Sequence, residues 1–94
     1  MVQHNSIICD SKSDMEEELA WTEKQAADLL KEFKLYYSGD VGIKVYPMRH
    51  IEGWSVCADL TVNGELCRHY DPAEICFLDL NMMMLNQLIK ARKA

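Results

Sequence analysis

The sequence predicts an α+β fold, a two-layer sandwich built in the order helix, three antiparallel strands, helix. Three observations support this fold class. Apolar residues recur at helical spacing between Met15 and Tyr37. Residues 54–62 alternate between the two faces of a strand and lead into an Asn-Gly pair. Asp71-Pro72-Ala73-Glu74 carries the start signal of a last helix. We therefore expect an α-β-β-β-α domain with both helices on one sheet face.

The length of 94 residues allows one domain with a modest core. We expect residues 1–12 to form a loosely ordered tail and residues 13–94 to form the domain. No stretch approaches the roughly 18 apolar residues of a membrane span, and the N-terminus lacks the basic region and apolar core of a signal peptide. These features predict a cytoplasmic protein without a membrane partner. Its four cysteines form no CxxC pair and are expected to be reduced.

The first helix is predicted over residues 14–35. Two capping boxes leave its start open, one at Ser13-Asp14-Met15-Glu16 and one at Thr22-Glu23-Lys24-Gln25. The apolar pattern runs across Thr22 without a break, which favours the longer helix. Gly39 then suits the left-handed position after a helix end.

Three strand segments follow. Residues 43–46 alternate, and Pro47 indicates an edge strand. Asn63-Gly64 predicts a two-residue hairpin turn in which both residues have positive φ. A regular hairpin would pair Asp59 with Arg68 and place Cys67 and His69 on the core side of the sheet.

The last helix is predicted to begin with Asp71 as N-cap, Pro72 in the first helical position and Glu74 in the third. It carries two apolar stripes about 120° apart. One stripe can cover the sheet, while the other needs the first helix or a second copy of the chain as its partner. The first stripe contains Ile75, Leu78, Met82, Leu85 and Ile89; the second contains Phe77, Leu80, Met84, Leu88 and Ala91.

The excess negative charge is concentrated in residues 10–40, which hold nine acidic residues against four lysines and so account for the net charge of −5. Trp21 lies off the apolar stripe of the first helix, on the same side as Glu17, Asp28 and Glu32. A tryptophan within a charged rim is typical of a protein-binding site. These four residues are the predicted partner-binding site. The alternative is a hydrophobic staple, in which the helix begins at Thr22 and Trp21 packs on Ala26.

The Met82-Met83-Met84 run adds apolar surface to the last helix. Met suits adaptable contacts, and a third apolar surface exceeds what a small monomer needs. We predict a homodimer interface at Met83, Met84 and Leu88. The alternative is core filling with one exposed methionine.

Two other functions have weaker support. Double-stranded-RNA-binding domains share the element order, but here the first helix and the start of the last helix are acidic where phosphate contacts would require bases. A nucleic-acid binder of this kind would use Lys44, Arg49, His50 and Arg68. Cys67 and His69 are the local candidates for a metal site or a catalytic pair, although they form neither a ligand set nor a triad. No catalytic residue, metal or cofactor is predicted.

The leading hypothesis is a small acidic, non-enzymatic interaction module that binds a basic surface on another protein. An inhibitor encoded by a phage or mobile element is one concrete form. Some anti-CRISPR proteins act by imitating nucleic-acid phosphates, and the likeness to them rests on size, charge and element order.

Overall fold

The computed structural model describes residues 9–93, with side chains as far as Gln87. Two helices pack on one face of a three-stranded antiparallel sheet, which confirms the predicted α-β-β-β-α order and two-layer architecture. Neither described helix has an apolar run sufficient to cross a bilayer. The elements are α1 (Lys12–Phe33), β1 (Val41–His50), β2 (Gly53–Val62), β3 (Glu65–Tyr70) and α2 (Ala73–Lys93).

Helix α1 begins earlier than either predicted start. The N-cap is Ser11, whose side-chain oxygen accepts a hydrogen bond from the Asp14 backbone N–H at 3.0 Å. The helix ends at Phe33 with Lys34 as C-cap, two residues before the predicted end. Gly39 has the expected positive φ of 105°, but it lies in the loop and does not cap the helix.

The sheet order is β1-β2-β3, so β1 is an edge strand and accommodates Pro47 as predicted. Cys9 forms an isolated antiparallel bridge with Trp54, beyond the end of β3. Together with the Ser11 cap, this bridge ties residues 9–12 to the domain. Residues 1–8 lie outside the described residues.

The hairpin between β2 and β3 has the predicted turn and an unpredicted bulge. Asn63 and Gly64 have φ of 54° and 85°. Val62 pairs with Glu65 as expected, but Leu60 then faces Arg68, and Cys67 is left as the extra residue of a β-bulge. Beyond the bulge the predicted register is wrong by one residue, so Asp59 faces His69 rather than Arg68.

The core lies between the sheet and the two helices. Val56, Ala58 and Leu60 on β2 are buried there against Phe33 of α1 and Leu80 of α2. Between Ala73 and Gln87, the buried residues of α2 are Ala73, Cys76, Leu80 and Met84. Of the two predicted stripes, the one containing Leu80 and Met84 therefore covers the sheet.

Helix α2 begins at Ala73, one residue later than predicted. The Pro72 carbonyl accepts the first turn's hydrogen bond from the Ile75 N–H at 3.1 Å. Asp71 is not the N-cap. Its carboxylate lies near Cys57 on the sheet instead, and among the described residues its Oδ1 has no hydrogen-bond partner.

Candidate functional site

Trp21 lies on the solvent side of α1, with 51% of its surface exposed. The opposite side of the helix is held in the fold by Met15, Thr22, Ala26 and Phe33, all of which are buried. Because the helix starts at Lys12, Trp21 lies in its third turn. The staple alternative, which requires a helix start at Thr22, is therefore wrong.

A groove runs between α1 and α2. One depression of about 320 Å³ is lined from both helices, and an adjoining one of about 430 Å³ shares Gln25 and Phe77 with it. We call the two together the α1–α2 groove. Its first part is lined by Gln25, Asp28, Leu29, Glu32, Phe77 and Asn81, and its second by Trp21, Gln25, Pro72, Glu74, Ile75, Phe77 and Leu78.

The groove combines an apolar lining with negative charge. Phe77 and Leu29 are partly buried against the core, and Trp21 stands at the border of the second depression. Three exposed carboxylates belong to the lining: Asp28, Glu32 and Glu74. Among the residues whose side chains the structure describes, no basic residue lines either depression. The groove therefore suits a ligand with both apolar and cationic groups.

Three of the four predicted partner-binding residues line this groove: Trp21, Asp28 and Glu32. Glu17 is exposed one helical turn before Trp21 and is absent from the lining. Glu74 and Phe77, contributed by α2, were missed. The periodicity of α1 alone cannot identify them, because their position depends on how α2 packs beside it.

The residues of the predicted oligomer interface do not lie together on one exposed surface. Met84 is a core residue with 6% of its surface exposed, so it is not available to a second copy. Met83 is 36% exposed, and its carbonyl accepts a hydrogen bond from the Tyr37 hydroxyl at 3.4 Å. The side chain of Leu88 lies outside the described part of the chain. Among the described side chains of α2, Leu78, Met82 and Leu85 are more exposed than Met83.

The sheet face away from the helices carries a polar cluster. His69 Nδ1 lies 2.7 Å from Asp59 Oδ1, and the Tyr46 hydroxyl donates to the same oxygen at 3.1 Å. Burial, reinforced by the Asp59 carboxylate, raises the pKa of Tyr46 to about 12. The expected core-side placement of Cys67 with His69 is wrong, because the bulge leaves both exposed.

A second set of polar groups lies on the same face and is largely buried. His50 Nε2 lies 2.7 Å from Ser55 Oγ, which is 3.8 Å from Cys57 Sγ. Ser55 and Cys57 are both fully buried. Burial raises the pKa of Cys57 to about 11, with Ser55 opposing and Asp71 adding to the effect. A protonated, inaccessible thiol is a poor nucleophile. Among the described residues, no three metal-ligating side chains are placed to hold an ion.

The basic residues proposed for nucleic-acid binding are largely engaged within the fold. Arg49 stacks over the Trp54 ring at 5.0 Å, and Arg68 lies 3.7 Å from the Asp79 carboxylate. His50 is the partner of Ser55 described above. Lys44 is exposed on β1. The four residues therefore form no continuous basic groove comparable to the acidic one.

Comparisons with known proteins return no relative. No family model matches the chain, no curated protein matches it, and no solved structure matches it.

Proposed function

We propose that this protein is a non-enzymatic interaction module, an inhibitor or adaptor that binds a basic segment of another protein in the α1–α2 groove. The observation that carries the proposal is the half-exposed Trp21 bordering a groove whose charged lining residues are all carboxylates. Trp is enriched among the residues that dominate binding energy, and a groove between helices is a common site for an amphipathic helix.

The apolar and the acidic residues of the groove are expected to contribute differently to binding. Trp21 and Phe77 offer apolar contact area, and removal of a central tryptophan from an interface typically costs about 2 kcal/mol or more. Asp28, Glu32 and Glu74 are exposed, so each charge pair contributes only about 0.2–1 kcal/mol. Their main effects would be faster association and rejection of acidic competitors. A partner helix with apolar residues on one face and Lys or Arg beside them fits both requirements.

An inhibitor that imitates nucleic-acid phosphates and occupies a basic nucleic-acid-binding surface is one form of this proposal. The net charge of −5 supports it only modestly. The effect of removing Trp21 distinguishes a groove that binds a basic amphipathic segment from a mimic of phosphate charge, because a pure charge mimic needs little apolar contact.

Titration with a probe peptide tests the proposal. The probe is an amphipathic helical peptide of leucine and lysine, and the readout is Trp fluorescence or calorimetry at several salt concentrations. Trp21→Ala is expected to weaken binding about 30-fold, and Asp28→Lys with Glu32→Lys about tenfold or more. Binding of the unmodified protein should weaken as salt is raised.

The chain offers a matched control for the charge reversal. Glu16 and Glu23 are exposed on the same helix, and Glu23 faces the β1 side, beside Ile43 and Val45. Glu16→Lys with Glu23→Lys makes the same change in net charge away from the groove and should leave most of the affinity intact. An equal loss from both double variants, or no binding of the probe, would reject the groove as the binding site.

A further inference from the structure

Helix α2 has an exposed apolar face that no described element covers. Leu78, Met82 and Leu85 are 64%, 57% and 49% exposed, while Leu80 and Met84 fill the core from the opposite side of the helix. With the half-buried Ile75, the exposed residues follow the 3-4-3 spacing of a heptad seam. We call Ile75, Leu78, Met82 and Leu85 the α2 seam.

The charge around the α2 seam indicates which partner it fits. Asn81 and Asn86 flank it, and between Ile75 and Gln87 the only charged residue is Asp79. The Asp79 carboxylate is already engaged, since it accepts a hydrogen bond from the Tyr70 hydroxyl at 2.9 Å and lies 3.7 Å from Arg68. Glu74, just before Ile75, is exposed and belongs to the α1–α2 groove, so the seam is neutral from Ile75 onward and offers a basic partner little charge there. Two copies of a chain with a net charge of −5 can meet here with little repulsion.

The α2 seam is also self-complementary. If two copies pack their α2 helices antiparallel about a two-fold axis at Met82, Leu78 of each copy falls beside Leu85 of the other. The same arrangement opposes the two helix dipoles. It also brings the C-terminal end of each α2 toward the N-terminal end of the other. In the sequence, Lys90, Arg92 and Lys93 belong to the C-terminal end and Glu74 to the N-terminal end. Symmetry and charge thus favour the same antiparallel arrangement.

We infer that the α2 seam is a homodimer interface, formed by antiparallel packing of α2 against α2 of a second copy. This interface differs from the one that the methionine run predicts, because Met84 faces the core. It shares Ile75 and Leu78 with the lining of the α1–α2 groove but does not depend on the proposed function. Leu85 lies outside the groove lining, so dimerisation and probe binding can be lost separately.

Sedimentation equilibrium of the full chain tests the inference. The unmodified protein should have about twice the monomer mass of 10.9 kDa at micromolar concentration. Leu85→Glu should weaken dimerisation roughly 100-fold or more, because each copy would bury a carboxylate against apolar side chains. Leu35→Glu is the matched control, since Leu35 is 80% exposed in the loop after α1 and should leave the dimer intact. A monomeric unmodified protein, or a Leu85→Glu dimer as strong as the control, would overturn the inference.

A cross-linking experiment covers the case in which Leu85→Glu fails to fold. In a Cys67→Ser background, Met82→Cys should form an intermolecular disulfide under mild oxidation, because the two-fold axis places residue 82 of each copy side by side. Ala27→Cys, at an exposed position of α1, should not. Equal cross-linking at positions 82 and 27 would contradict the antiparallel arrangement.

Discussion

Leu78 and Leu80 lie two residues apart on α2, and the same substitution to alanine should have very different effects at the two positions. Leu80 is fully buried against the sheet, so Leu80→Ala removes its burial and leaves a cavity. The expected cost is about 3 kcal/mol, within the usual range of about 2–5 kcal/mol. Leu78 is 64% exposed. Leu78→Ala should cost only about 0.5–1 kcal/mol, roughly a third of the value of a fully buried leucine.

Thermal or urea unfolding, followed by circular dichroism, measures the loss of stability in both variants. The solution is dilute, so that the protein is monomeric and the α2 seam is not covered by a second copy. A 94-residue domain has about 5–15 kcal/mol of stability in total, so Leu80→Ala removes a large share of it. The melting temperature should fall by about 15 °C for Leu80→Ala and by a few degrees for Leu78→Ala. Helix propensity changes equally in both variants and cancels. Equal losses, or a larger loss at Leu78, would refute the assignment of Leu80 to the core side of α2.

Three further predictions concern the hairpin, the tyrosines and the thiols. Gly64→Ala should lower the free energy of unfolding by about 1 kcal/mol in urea, because φ is 85° there while nothing lies within 4 Å of the added methyl group. The folded state raises the pKa of Tyr46 and of Tyr70 from 10 to about 12, so the contribution of these two groups to stability should be constant below pH 10 and fall as the pH rises toward 12. Replacing both tyrosines with phenylalanine should reduce that fall in a pH series of unfolding curves; an unchanged slope would contradict the pKa assignment. Cys67 is exposed and Cys57 is fully buried, so iodoacetamide followed by peptide mass spectrometry should find Cys67 modified well before Cys57 in the native protein.

The hairpin shows how far local sequence signals reach. Asn63-Gly64 determines the turn because few other residues accept positive φ at both positions. The bulge at Cys67 has no such local signal. It shifts the register so that Tyr70 faces Ala58, on the core side, where Tyr70 is 4% exposed and its hydroxyl donates to Asp79. Without the extra residue, Tyr70 would lie on the opposite face of the sheet, so tertiary packing selects the bulge.

For helix α2, the sequence pattern leaves open which side of the helix is buried. Its two stripes are about equally apolar, and periodicity cannot decide which one faces the sheet. The buried face includes the small residues Ala73 and Cys76, which let the start of the helix lie close to β2. That choice leaves Leu78 exposed and turns Phe77 toward α1, where it completes the α1–α2 groove. The α1 half of the groove was predictable from charge and periodicity, whereas the α2 half required the packing.

An NMR titration of the ¹⁵N-labelled protein with the leucine-lysine probe peptide tests directly whether the α1–α2 groove binds a basic amphipathic segment. The chain has two tryptophans, and each indole N–H gives a separate signal. Trp21 borders the groove, whereas Trp54 lies on β2 beneath Arg49 and serves as an internal control. Binding in the groove should shift the Trp21 indole signal as the probe is added and leave the Trp54 signal in place. Equal shifts of both signals, or a shift of Trp54 alone, would contradict it.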